Sequence, residues 1–96
     1  AMEGRVVFLN TIATFLTRRC FEQVVVGLGM HNANVRLIGN GGGVVYAPLG
    51  PTHLATDDIA IMRAVPNMTI LAPADAEEMA RAVRATLNFQ GPVYIR

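Results

Sequence analysis

A chain of 96 residues makes one domain at most, of a size that buries roughly 60 to 65% of its unfolded surface, so its core is modest. Apolar residues make up 52% and charged residues 16%, which excludes a disordered chain and leaves a surface short of charge, as when a partner covers part of it. The net charge of +1 and the scattered basic residues argue against nucleic acid, the single Cys20 excludes an internal disulfide, and no apolar run reaches the roughly 18 residues of a membrane span.

In chain order, Arg5 to Leu9 is a short apolar run that reads as a buried strand. From Thr11 to Met30 the residues Ile12, Phe15, Leu16, Phe21, Val24, Val25 and Leu28 fall at helical spacing, predicting one helix. Its weak point is Val24-Val25-Val26, a β-branched run before Gly27 and Gly29. Val35 to Ile38 is a second strand. Thr56 is placed to cap a helix whose first turn holds Asp57 and Asp58, and Pro66 stops it. Met68 to Leu71 is a third strand. Asp75, with Glu78 three positions on, opens a helix with Ala76, Met79, Ala80, Val83 and Leu87 on its apolar face. Gly91-Pro92 precedes a last strand, Val93 to Ile95. Strands that are apolar on both faces and alternate with helices predict an α/β fold: a parallel sheet with helices on both faces and right-handed crossovers.

Between the second strand and its helix lies a long loop, Gly39 to His53, with glycines at 39, 41, 42, 43 and 50 and prolines at 48 and 51. In open parallel sheets ligands sit beyond the carboxyl ends of the strands, where this loop begins. Its glycines lack the order of a dinucleotide fingerprint and the lysine of a P-loop, so a phosphate cradle and a crowded turn stay open as alternatives. Pro51 fixes its own φ and restricts Gly50, which aims His53 in one direction. An idle side chain and a group that moves a proton near neutral pH are both compatible with that placement. Cys20 reads as a small core residue, His31 as a helix-end residue, and Met62, Met68 and Met79 as core filling. Asp57 and Asp58 have no metal-like spacing with other ligands, so no metal is assigned to this chain.

Several stretches in collinear order carry a family resemblance. They are Thr14-Phe15-Leu16-Thr17-Arg18-Arg19 with Phe21-Glu22-Gln23, then Gly50-Pro51-Thr52-His53, Asp57-Asp58-Ile59-Ala60, Arg63 and Pro66-Asn67-Met68. Ala72-Pro73-Ala74-Asp75 and Gly91-Pro92-Val93-Tyr94-Ile95-Arg96 follow. Over nearly its whole length the chain resembles the pyrimidine-binding domain of transketolases, above all transketolase-like proteins encoded as a separate C-terminal subunit. The resemblance implies the three-layer fold of that domain, lacking its N-terminal part, and chemistry with thiamine diphosphate. It further implies a partner, an N-terminal diphosphate-binding domain or subunit that holds Mg2+ or Ca2+, in a homodimer or heterotetramer. By the same resemblance Phe15 stacks on the aminopyrimidine, with Ile12 and Arg18 near other pocket-lining positions. His53 meets cofactor or sugar and handles a proton as a two-carbon ketol unit passes between sugar phosphates.

The departures from the family pattern are as informative. The glutamate that activates the cofactor belongs to a segment before Arg5, and neither Glu3 nor Glu22 stands in its motif, so the chain alone is expected to be inactive. Gly41 stands where many transketolases have a second histidine in the loop, and Leu49 where they have an acidic residue. Both are sugar-recognition positions, so a modified or different sugar phosphate is expected. A deoxyxylulose-phosphate synthase, a keto-acid dehydrogenase β subunit and a non-catalytic dimerisation module of the same fold are the other readings. Ala1-Met2, and a stop at Arg96 directly after a strand, lead us to expect a partial domain spanning residues 1 to 96. With no signal-peptide pattern, a soluble cytoplasmic protein is expected.

Overall fold

The computed structural model describes residues 1–96 and contains a four-stranded, all-parallel sheet in the order β1-β2-β4-β3. The strands are β1 (Val7–Ile12), β2 (Val35–Asn40), β3 (Thr69–Leu71) and β4 (Val93–Ile95). Between them lie α1 (Ala13–Thr17), the single turn α2 (Phe21–Gln23) continuing as a π-helical segment over Val24–Gly29, α3 (Asp58–Arg63) and α4 (Ala76–Thr86). The α/β class and the parallel sheet stand as the residue pattern predicts. No helix is long and apolar enough to cross a membrane.

The crossovers from β1 to β2 and from β2 to β3 run in one direction across the sheet, and the return from β3 to β4 runs in the other. With right-handed connections, α1 to α3 then share one face and α4 takes the opposite one. The side chains agree. Tyr94 points to the first face and donates to Asp58 of α3, whereas Arg36, one residue out of phase with its neighbour Leu37, points to the other and reaches the end of α4. The core on the first face consists of Leu16, Val24, Val35, Leu37, Met62, Val65 and Tyr94. On the second face Arg36 is fully buried without a carboxylate partner, and its guanidinium donates to the carbonyls of Thr86, Phe89 and Gly91. The Thr86 carbonyl is at the negative end of the α4 dipole and the other two follow it in the chain, so the charge is compensated by backbone and α4 is pinned to β2. Burial pulls the Arg36 pKa down.

Four expectations need correction. β1 begins at Val7 and runs on to Ile12, so Ile12 ends a strand and does not open a helix; β1 is also an edge strand whose Val7, Phe8 and Leu9 are 36 to 44% exposed. The predicted helix over Thr11 to Met30 is broken at Arg18 to Cys20 and turns π-helical at Val24, where the β-branched run and Gly27 and Gly29 weaken the α-helical ladder. Asp57, not Thr56, precedes α3, and its side chain makes no cap bond. Leu87 lies past the end of α4 and is 49% exposed. The Asp75 cap is as predicted: Asp75 Oδ1 accepts from the Glu78 amide and Glu78 Oε2 from the Ala74 amide, both at 2.8 Å.

Candidate functional site

The loop after β2 is folded rather than open. It contains two 3-10 turns, Ala47–Leu49 and Pro51–His53, and a two-way backbone bridge between Gly43 and Ala55 closes its base. One cleft lies on each side of it.

The first cleft, of about 420 Å³, is lined by Thr14, Phe15, Arg18, Arg19, Pro51 and Thr52. Because α1 starts as soon as β1 ends, Thr14 and Phe15 stand at the carboxyl end of the sheet. Arg18 is the clamp. Its Nε donates to Asp57 Oδ2 at 2.9 Å, its Nη2 sits 2.8 Å from Asp57 Oδ1, and its Nη1 donates to the Pro51 carbonyl at 3.2 Å. Both side chains of this pair are partly exposed, so the fork adds little stability, but it fixes the turn that presents His53 against α1. The His53 and Phe15 rings are 5.2 Å apart between centroids, with planes at 65°. His53 Nδ1 is 2.9 Å from the Thr52 hydroxyl, which leaves Nε2 as the nitrogen available to a ligand. Thr14, which lines the same cleft, has a buried hydroxyl with no hydrogen-bond partner. Cys20 donates to the Phe15 and Leu16 carbonyls behind the cleft, and burial pushes its thiol pKa up, which suits a packing residue.

The second cleft, of about 640 Å³, opens where the sheet's connections diverge to opposite faces, between the end of β2 and the turn from β3 into α4. Gly41, Gly42, Pro73, Asp75, Met79 and Arg96 line it. Arg96, which lines the cleft and is partly exposed, reaches a buried pair behind it: Tyr94 Oη donates to Asp58 Oδ2 at 2.8 Å, and Arg96 Nε stands 3.2 Å from the same oxygen. Burial raises the Tyr94 pKa far above the ordinary phenol, and the hydrogen bond to Asp58 raises it further. Gly41 has φ +70°, and a Cβ there would run into the Tyr46 ring; a Cβ on Gly42 would run into the Arg96 guanidinium. Close approach of these side chains accounts for the glycines, which favours the crowded turn over the phosphate cradle.

The fold thus brings Phe15, Arg18 and His53 together and places Gly41 in the other cleft. Ile12 is half-buried and Leu49 is 57% exposed, and neither lines a cleft. The sequence pattern does not single out Thr14, Arg19, Tyr46 or the Asp58–Tyr94–Arg96 chain. Asp58 reads as a helix-start charge, and nothing local in the sequence signals a partner 36 positions away. Arg96 carried a usable signal, a cation at the carboxyl end of an apolar strand. His, Cys, Asp and Glu side chains do not converge in groups of three that could hold a metal.

The family described as "Transketolase, pyrimidine binding domain" matches residues 1–96. An apulose-4-phosphate transketolase subunit of Phocaeicola vulgatus is 40% identical over 96 residues, covering 100% of this chain and 31% of that protein. The 6-deoxy-6-sulfo-D-fructose transketolase subunit of a Clostridium species is 33% identical over 96 residues, covering 100% of this chain and 30% of its own length. Among solved structures, a split-gene transketolase described as an inactive beta4 tetramer superposes with a TM-score of 0.85 at 33% identity, over 99% of this chain and 30% of that one. The chain therefore spans about a third of the length of the proteins it matches.

Proposed function

The chain belongs to the transketolase pyrimidine-binding family, and we propose that it supplies the aminopyrimidine side of a thiamine-diphosphate site shared between subunits. The enzyme so formed moves a two-carbon ketol unit between sugar phosphates. The observation that carries this reading is the first cleft: a half-buried phenylalanine with a histidine against its ring, and the unpaired buried hydroxyl of Thr14, which lines the same cleft. Those groups fit a flat, polar-edged ring, and the volume of about 420 Å³ is in the range of small-molecule sites. When bound, thiamine diphosphate supplies a stabilised carbanion that cleaves and rebuilds carbon–carbon bonds next to a carbonyl.

The residues of this chain then have distinct tasks. Phe15 offers its face to the pyrimidine, and the Thr14 hydroxyl pairs with a polar atom on the ring's edge. Arg18, held on Asp57 and Pro51, keeps the 3-10 turn in register with α1. His53 turns Nε2 toward the sugar, holding or moving a hydroxyl proton, while the Thr52 hydroxyl on Nδ1 orients the ring. The diphosphate and its divalent metal fall to an N-terminal partner domain or subunit, in a homodimer or heterotetramer. Two features point to an uncommon sugar. The space at Gly41 is filled by Tyr46 where the family pattern has a histidine, and two of the relatives are named for apulose 4-phosphate and a sulfonated deoxyfructose.

The test is a two-carbon transfer assay of the complete gene product with its partner, thiamine diphosphate and magnesium, against a panel of ketose phosphates. Turnover is expected from the assembled pair and none from residues 1–96 alone. Turnover by the isolated chain would refute a shared site.

A further inference from the structure

Resting on the cofactor reading above, we propose that Arg19 is a displaceable plug on Phe15: its guanidinium covers the open face of the ring while the site is empty, and yields that face when the aminopyrimidine stacks. Arg19 Cζ stands 3.9 Å from the Phe15 ring centroid, in the layer a stacked ring would take. Arg19 is exposed, Phe15 is half-buried, and both residues line the same cleft, so the contact lies at the cleft and not in the core. A ligand ring and the guanidinium compete for one surface.

The neighbouring arginine shows why this one can move. The Arg18 guanidinium is committed to two carboxylate oxygens and a carbonyl, whereas the Arg19 guanidinium has only the ring, with no ion pair or hydrogen bond. A cation–π contact at an exposed site is weak, and its loss to a competing ring costs roughly two- to fivefold in affinity. The empty cleft thereby keeps its aromatic face covered from water. A weak stacker that lacks the cofactor's further contacts is penalised by the same factor.

The proposal is tested by titrating thiamine diphosphate calorimetrically into the complete chain assembled with its diphosphate-binding partner. Arg19→Ala is expected to bind roughly two- to fivefold tighter than the parent, and Phe15→Ala clearly weaker. A second measurement needs no catalysis: the δ and ε protons of Arg19, shifted upfield by the ring current of Phe15 in the free protein, should lose that shift when cofactor is added. Unchanged or weaker binding by Arg19→Ala, or an upfield shift that survives saturation, overturns the plug. If Phe15→Ala still loses affinity in that case, the cofactor reading stands without it. If both variants bind like the parent, reading and plug fall together.

Discussion

The two clefts beside the β2 loop are built on opposite principles. The first is a set of side chains brought together from α1 and the Pro51–His53 turn, held by one arginine fork and left with an unpaired hydroxyl, a free imidazole nitrogen and a loosely held arginine. The second is shaped by packing: Tyr46 against Gly41, Arg96 against Gly42, and behind them Asp58 Oδ2 held by both Tyr94 and Arg96. A site with polar groups to spare is equipped to take a ligand, and a site whose groups are spent on one another is equipped to hold a shape. Chemistry is therefore expected to fail first at the first cleft, and folding at the second.

The largest expected effect tests the first half of that contrast. In the assembled enzyme, His53→Ala should lower turnover roughly 10²-fold or more, the scale of a lost acid–base group. Its unfolding midpoint should stay close to the parent's, because the ring is only half-buried and outside the core cluster. Steady-state kinetics beside thermal melts separates the two. An unchanged rate with a lowered midpoint would move His53 from the reacting group to the scaffold.

Much of this was open to a reader of the chain. Asp75 and Glu78 sit three apart at the start of an apolar period, and the variant capping box they predict is present, with Asp75 accepting from the Glu78 amide and Glu78 reaching back one residue further, to the Ala74 amide. The Phe15 and His53 stretches were visible through several motifs in collinear order, but their contact was not, since it depends on how a 3-10 turn is clamped from α1. What stayed hidden follows from geometry at long separation. Arg36 looks like a polar interruption in an apolar strand and is in fact buried, because the carbonyls that compensate it arrive about 50 positions later. The break after Thr17 was hidden for another reason: helical periodicity survives a short kink, so the pattern of apolar residues reads through it.

At the second cleft the expected loss is in folding. Gly41→Ala combines a positive φ with a collision against Tyr46 and should cost about 1 to 3 kcal/mol, read by denaturant unfolding. Tyr46→Ala in the same chain removes the collision and leaves the backbone strain. The double variant should therefore be more stable than the sum of the single changes predicts. Simple additivity would mean that Tyr46 does not fill the space over Gly41.

The smallest effect at neutral pH has the most distinctive pH dependence. Tyr94→Phe removes the donor to Asp58 Oδ2 but leaves Arg96 Nε beside that oxygen, so the cost should be about 1 kcal/mol. Burial and the neighbouring carboxylate hold the folded-state phenol far above its ordinary value of 10.0. As pH rises past 10, the unfolded chain gives up this proton while the folded chain keeps it. The stabilisation is therefore whole below that pH and is lost progressively above it, by up to about 1.4 kcal/mol per pH unit. Denaturant unfolding between pH 9 and 11 should show the parent losing stability more steeply than Tyr94→Phe, so that the gap between them narrows. Parallel curves would mean that the phenol is not shielded by the sheet and α3, and the packed support assigned to the second cleft would have to be given up.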